Sequence, residues 1–239
     1  MRTLFAIAAL GLACVQASAS PSVSTDSVRA YRAAITASER GERDHAVAIV
    51  DCVLMPKKVT IGVGSRSKNS SALREAIHQW NQWLPDQPLV FSEKAQPDIL
   101  VSVLPSINSE GPDVQGEIHY HRQVRWGSAG AGYQVSGDIF IRSETEGRSM
   151  TQDEFVCVMS HELGHLLGLA DDPDLDALMG PFVSGKPVVG PTRREASEVE
   201  AFRTDLVALR GRILSGTVLA SRHGAIRARR RFNRKTRSS

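Results

Sequence analysis

Residues 160–182 read SHELGHLLGLADDPDLDALMGPF, and the first half of this stretch predicts the helix around which the rest of the chain can be arranged. His161 and His165 are four apart. On a helix both imidazoles leave one face about a turn from each other, close enough to bind one metal ion. Glu162 stands beside the first histidine, where it can take the proton of a water attacking a carbonyl carbon and pass it to the leaving amine. The flanks are apolar, so the helix reads as buried. Two histidines and a glutamate buried without a metal would leave polar groups unpaired, and zinc is the ion to which this spacing points.

The helix has its own start and stop signals. Thr151 and Glu154 have the spacing of a capping box, Phe155, Val158, Met159, Leu163, Leu166 and Leu167 form an apolar face, and Gly168 suits a left-handed end. The pattern predicts a helix over 151–167. A second capping box, Thr192 and Glu195, opens a last helix with Val199, Phe202, Leu206, Leu209 and Ile213 on one stripe. Upstream, KVTIGVG (58–64) reads as a strand. A helix follows, capped by Ser71, striped by Leu73, Ile77, Trp80 and Leu84 and ended by Pro85. Strands are predicted at 88–91, 98–104 and 116–121, and after a glycine-rich loop (WGSAGAGYQVSG) at 138–142. This order suggests an α+β domain, a mixed sheet with the helix packed on one face.

His161, Glu162, His165, Gly168, Asp171 and the Met179 of ALMGP together resemble the metzincin zinc peptidases. HELGHLLGL followed by ALMGP is especially similar to the matrixins, and Asp171 in place of a third histidine resembles the snapalysin group of small secreted bacterial metzincins. The resemblance is sharp over 154–182, weaker upstream and absent in 20–50 and in the C-terminal tail. It implies a twisted mixed β-sheet over an active-site helix, a methionine turn beneath the metal and a C-terminal helix. It also implies that zinc is held by His161, His165 and Asp171, with Glu162 as general base. It further places Pro181, Phe182 and Val183 along the pocket for the side chain after the scissile bond, and the strand Glu117–His121 at the edge on which an extended substrate aligns.

A two-histidine, one-carboxylate set with an open position suits catalytic zinc. Aspartate is shorter than histidine, so the loop after Gly168 must pass closer to the ion, and its charge should leave water less acidified than three histidines would. Asp172 is the fallback ligand. Asp172, Asp174 and Asp176 otherwise read as turn residues or a weak calcium site. Glu195 or Glu198 would supply the third ligand in a competing zinc architecture, although Glu195 already has a role as a cap. His119 and His121 share one strand face and could hold a second metal or none. His45, His78 and His223 stand alone.

With 239 residues, 41% hydrophobic and 23% charged, the chain is long enough for one domain with short appendages. Residues 1–19, with Arg2, an apolar run to Val15 and Ala17-Ser18-Ala19, read as a cleaved secretory signal. Cys14 in GLAC makes only a degenerate lipid-anchor motif. Residues 20–45 read as an extension or short pro-segment, 46–214 as the catalytic domain and 215–239 as a basic tail. That tail holds eight Lys or Arg and no acid, so the net charge of +3 is +8 there and −5 before it. The tail reads as a solvated, mobile end; an anionic surface is its alternative contact, and specific nucleic acid is not expected. Cys52 and Cys157 could form a disulfide or stay as buried thiols. The reading is therefore a secreted, extracellular or periplasmic, monomeric zinc metalloendopeptidase acting on protein or peptide. A catalytically silent zinc-binding protein attached to a surface is its rival.

Overall fold

The structure, a computed structural model, describes residues 23–64, 69–94, 96–107, 114–128 and 130–217. The expected signal at 1–19 and the basic tail beyond Thr217 lie outside these residues. In chain order the elements are α1 (Thr25–Glu39), α2 (Arg43–Leu54), β1 (Val59–Val63), α3 (Ser70–Trp83), β2 (Leu89–Phe91), β3 (Ile99–Leu104), β4 (Gly116–Gly127) and β5 (Gly130–Arg142). They continue with the small hairpin β6 (Glu144–Thr145) and β7 (Arg148–Ser149), then α4 (Gln152–Leu167) and α5 (Arg193–Ser215).

The main sheet runs β2-β1-β3-β5-β4; β2, β1, β3 and β5 are parallel, and β4 is antiparallel on the edge. This is the expected mixed sheet of a metzincin-like α+β fold. Its centre is apolar because Ile61, Ile99, Val101, Ile139 and Ile141 all face helices and are buried. α3 crosses α4 through Trp80, which is fully buried and donates its indole N–H to the carbonyl of Ser160 at 2.8 Å. That bond satisfies the one polar atom that burial of a tryptophan would otherwise strand.

Three expectations are corrected. α3 begins at Ser70 with Asn69 as N-cap, and Ser71 lies in the first turn, where its hydroxyl accepts from Gln152 Nε2 at 3.1 Å. The glycine-rich stretch is no loop. It forms the outer half of a hairpin arm in which β4 and β5 pair continuously from Gly116↔Ile141 to Gly127↔Gly130. Glycines hid the alternation there, and Gly137 is required because a Cβ would run into the backbone of His119 and Tyr120 across the ladder.

The third correction is at the N-terminus, where the stretch read as an extension ending at 45 folds as α1 and the start of α2. Ala34 and Ala37 of α1, Ala46, Val50, Val53 and Leu54 of α2, and Leu206, Leu209 and Ile213 of α5 form a second buried core. Asp51 accepts from Arg210 Nε beside it at 2.8 Å. The expected boundary at 45/46 therefore falls inside α2. Cys52 and Cys157 are both free and buried, so the thiol alternative holds; burial pushes each thiol up to about 11.

Candidate active site

α4 is buried on nearly every side, and the exceptions include His161 and His165, which face a cleft of about 520 Å³. Its first turn carries the capping box of Thr151 and Glu154, and Gly168 ends it at φ 106°. Both histidines are oriented from behind. His161 Nδ1 lies 2.9 Å from the carbonyl of Leu178, and His165 Nδ1 lies 3.0 Å from that of Leu169. A carbonyl can only accept, so each Nδ1 carries the proton and each Nε2 is turned to the cleft.

Asp171 meets both Nε2 atoms, with Oδ1 at 3.3 Å from His161 and 3.4 Å from His165. Zinc bonds of about 2.0–2.1 Å at the tetrahedral angle separate ligand atoms by roughly 3.3 Å. Both oxygen–nitrogen separations match this, all three donor atoms lie within 4.8 Å of one another, and the chemistry of the set fits a zinc ion. Among the described residues it is also the one group of His, Cys, Asp and Glu with atoms close enough to hold a metal. The His161 and His165 imidazoles beside it hold the Asp171 carboxyl well below the usual carboxylate range.

Glu162 is 4% exposed. Burial pushes its carboxyl above its ordinary value, against the pull of His161 and His165. Edge strand β4 passes directly over it at Gly116, where an added Cβ would lie 2.6 Å from Glu162 Oε1. Only glycine leaves that carboxylate its place.

The alternatives are not brought to the cluster. Asp172 is buried and accepts from Arg194 Nη2 at 2.6 Å and from the amide of Asp174 at 2.9 Å. The amide of Asp176 is in turn donated to Asp174 Oδ1, so these acids build turns. Glu195 is fully buried, its Oε2 accepting from Thr192 and its Oε1 from the amide of Met179 at 2.7 Å. Glu198 does not join the metal-binding group. His119 Nε2 pairs with Glu117, and neither it nor His121 belongs to such a group.

Sequence reasoning saw Glu195 as a helix cap or a competing ligand and missed the bond of its second oxygen to the Met179 amide. Through that oxygen the cap fixes the turn 177–181, whose Met179 is fully buried and packs on α4 at Gly164. A Cβ on Gly164 would overlap the Met179 sulfur and come within 3.2 Å of Trp80. Gly164→Ala is thus expected to cost about 1–3 kcal/mol of stability as an overpacking change, read as a lowered melting temperature. An unchanged melting curve would show that the turn yields freely.

Glu154 has a matching second role. Besides capping α4 it accepts from Arg148 Nη1 and Nη2 at 2.8 and 2.6 Å, and from the amide of Gly185 at 2.8 Å. Gly185 follows Phe182 and Val183, which line the cleft with Pro181 and Val188. The Arg148 pairing holds the Glu154 carboxyl well below the usual range. A depressed folded value means that the stabilisation is present above the unfolded pKa of about 4.3 and is lost as pH falls through the folded one. Glu154→Gln should therefore cost roughly 2–3 kcal/mol near neutral pH, with parent and variant melting temperatures converging below about pH 4. A gap that persisted at low pH would contradict this assignment.

The matrixin family profile matches residues 57–194, more than half of the chain, and the chain belongs to that family. By class it is a zinc-dependent metalloprotease acting on peptide or protein substrates. A search of curated proteins returns no match.

Proposed function

We propose that the chain is a secreted zinc endopeptidase in which His161, His165 and Asp171 hold the ion and Glu162 is the general base. The observation that carries this reading is the convergence of two back-oriented Nε2 atoms on one carboxylate oxygen, 3.3 and 3.4 Å away. Zinc in that place supplies Lewis-acid chemistry, acidifying water and polarising a carbonyl. Glu162, buried beside His161, accepts the proton of the attacking water. It then delivers that proton to the amine nitrogen as the peptide bond breaks. Burial favours the proton-bearing state that this second step needs.

The departure from three histidines is the snapalysin-like feature, and the turn at Met179 serves as the methionine turn. Met179 does not ligate: it sits against Gly164 and shapes the floor by packing. The wall of Phe182, Val183 and Val188 favours an apolar side chain after the scissile bond. The signal-like residues 1–19 support export, and the basic tail supports attachment to an anionic surface by a monomer. Zinc content of the purified protein, with peptide hydrolysis abolished by a chelator and restored by zinc, tests the reading. Zinc bound without peptidase activity would favour the silent, surface-bound alternative, and a metal-free, inactive protein would refute both readings.

A further inference from the structure

The turn that leaves α4 presents three carbonyls, and each has its own donor. Leu166 O accepts from Arg122 Nη2 at 2.6 Å, Gly168 O from the amide of Ser24 at 2.8 Å, and Leu169 O from His165 Nδ1 at 3.0 Å. Val23 also forms an isolated antiparallel bridge with Leu169. Ser27 is fully buried against Gly168, so closely that a Cβ there would come within 3.0 Å of its hydroxyl. The carbonyl that orients His165 thus belongs to a residue clamped from the other side by the chain at 23 and 24.

We propose that residues 23–27 are a brace that positions His165, and that the N-terminal helices belong to the working enzyme and are not a pro-segment to be removed. This rests on His165 as a zinc ligand. A segment that blocked activity would have to cover the cleft, yet none of the described residues lining it comes from α1 or α2. Those helices lie against α5 through a shared apolar core and the Asp51–Arg210 pair. The brace also lies wholly outside the matched residues 57–194. Cleavage of the expected signal before Ser20 would leave Val23 in place to make its bridge.

Ser24 has φ −56°, which proline tolerates, and proline keeps the residue before it extended. Ser24→Pro therefore deletes the N–H that Gly168 O accepts, while Ser24→Ala keeps it. Both lose the hydroxyl that caps Ser27, so their difference reads the contact of the residue 24 nitrogen with Gly168 O, where proline puts a ring carbon in place of the N–H. The readout is zinc affinity of the full mature chain, by competition with a chromophoric chelator, beside melting curves. Ser24→Pro is expected to bind zinc about tenfold more weakly than Ser24→Ala, the lower end of what loss of a ligand's supporting partner costs. Equal affinities would overturn the brace. A parent that bound no zinc would be a different result, overturning the zinc reading and the brace with it. N-terminal sequencing of the active protein gives a check that needs no variant. A start at or before Val23 is expected, and an active species starting beyond Ser27 would overturn the proposal.

Discussion

Glu162→Gln is expected to leave one zinc per chain and to lower kcat by about 10²–10⁴-fold, the usual contribution of a positioned acid or base. The substitution is nearly isosteric, which matters because the side chain is enclosed between α4 and the backbone of β4 at Gly116. Gln fills the same space and keeps an oxygen, but it cannot take up a proton. Zinc content and melting temperature should therefore stay with the parent while turnover collapses. The rival reading, a silent zinc-binding protein, expects no turnover to lose. Parent and variant that hydrolysed a peptide panel equally well would remove Glu162 from the chemistry.

Asp171→Ala should abolish zinc retention, with affinity falling by more than about 100-fold, since even an outer partner of a ligand is worth 10- to 100-fold. Its side chain is largely exposed, and its contacts are the two imidazoles. Little stability should go with it. Asp172→Ala should do the reverse. That carboxylate is buried against Arg194 and the Asp174 amide, so its loss should cost about 2 kcal/mol and leave zinc bound. Metal analysis of both variants after identical dialysis, beside their melting curves, separates the neighbours. Zinc kept by Asp171→Ala and lost by Asp172→Ala would reverse the assignment.

What could be read from the sequence was whatever depends on local pattern. Both capping boxes stand where their spacing placed them, because the bonds close within one turn. Gly168 ends α4 for the same reason. The pairing of Asp171 with the histidines was implied by family resemblance, and its geometry appears only in the fold. Less could be read from positions 116–142, where glycines dilute the period-two signal that marks a strand. The α2 segment failed differently: HAVAIVDCVLM is apolar almost throughout, so its periodicity does not separate a helix from a buried strand. The second bonds of Glu154 and Glu195 are tertiary, linking residues 31 and 16 apart, and no local rule contains them.

Those two glutamates have a consequence for motion. Each joins the most easily frayed part of a helix, its first turn, to a loop of the cleft: α4 to the wall at Gly185, and α5 to the floor at Met179. Fraying at either helix start would release the loop as well as the cap. The openings that admit and discharge a bulky peptide are thus available as local fluctuations of two helix ends, while the metal-facing turns of α4 stay folded.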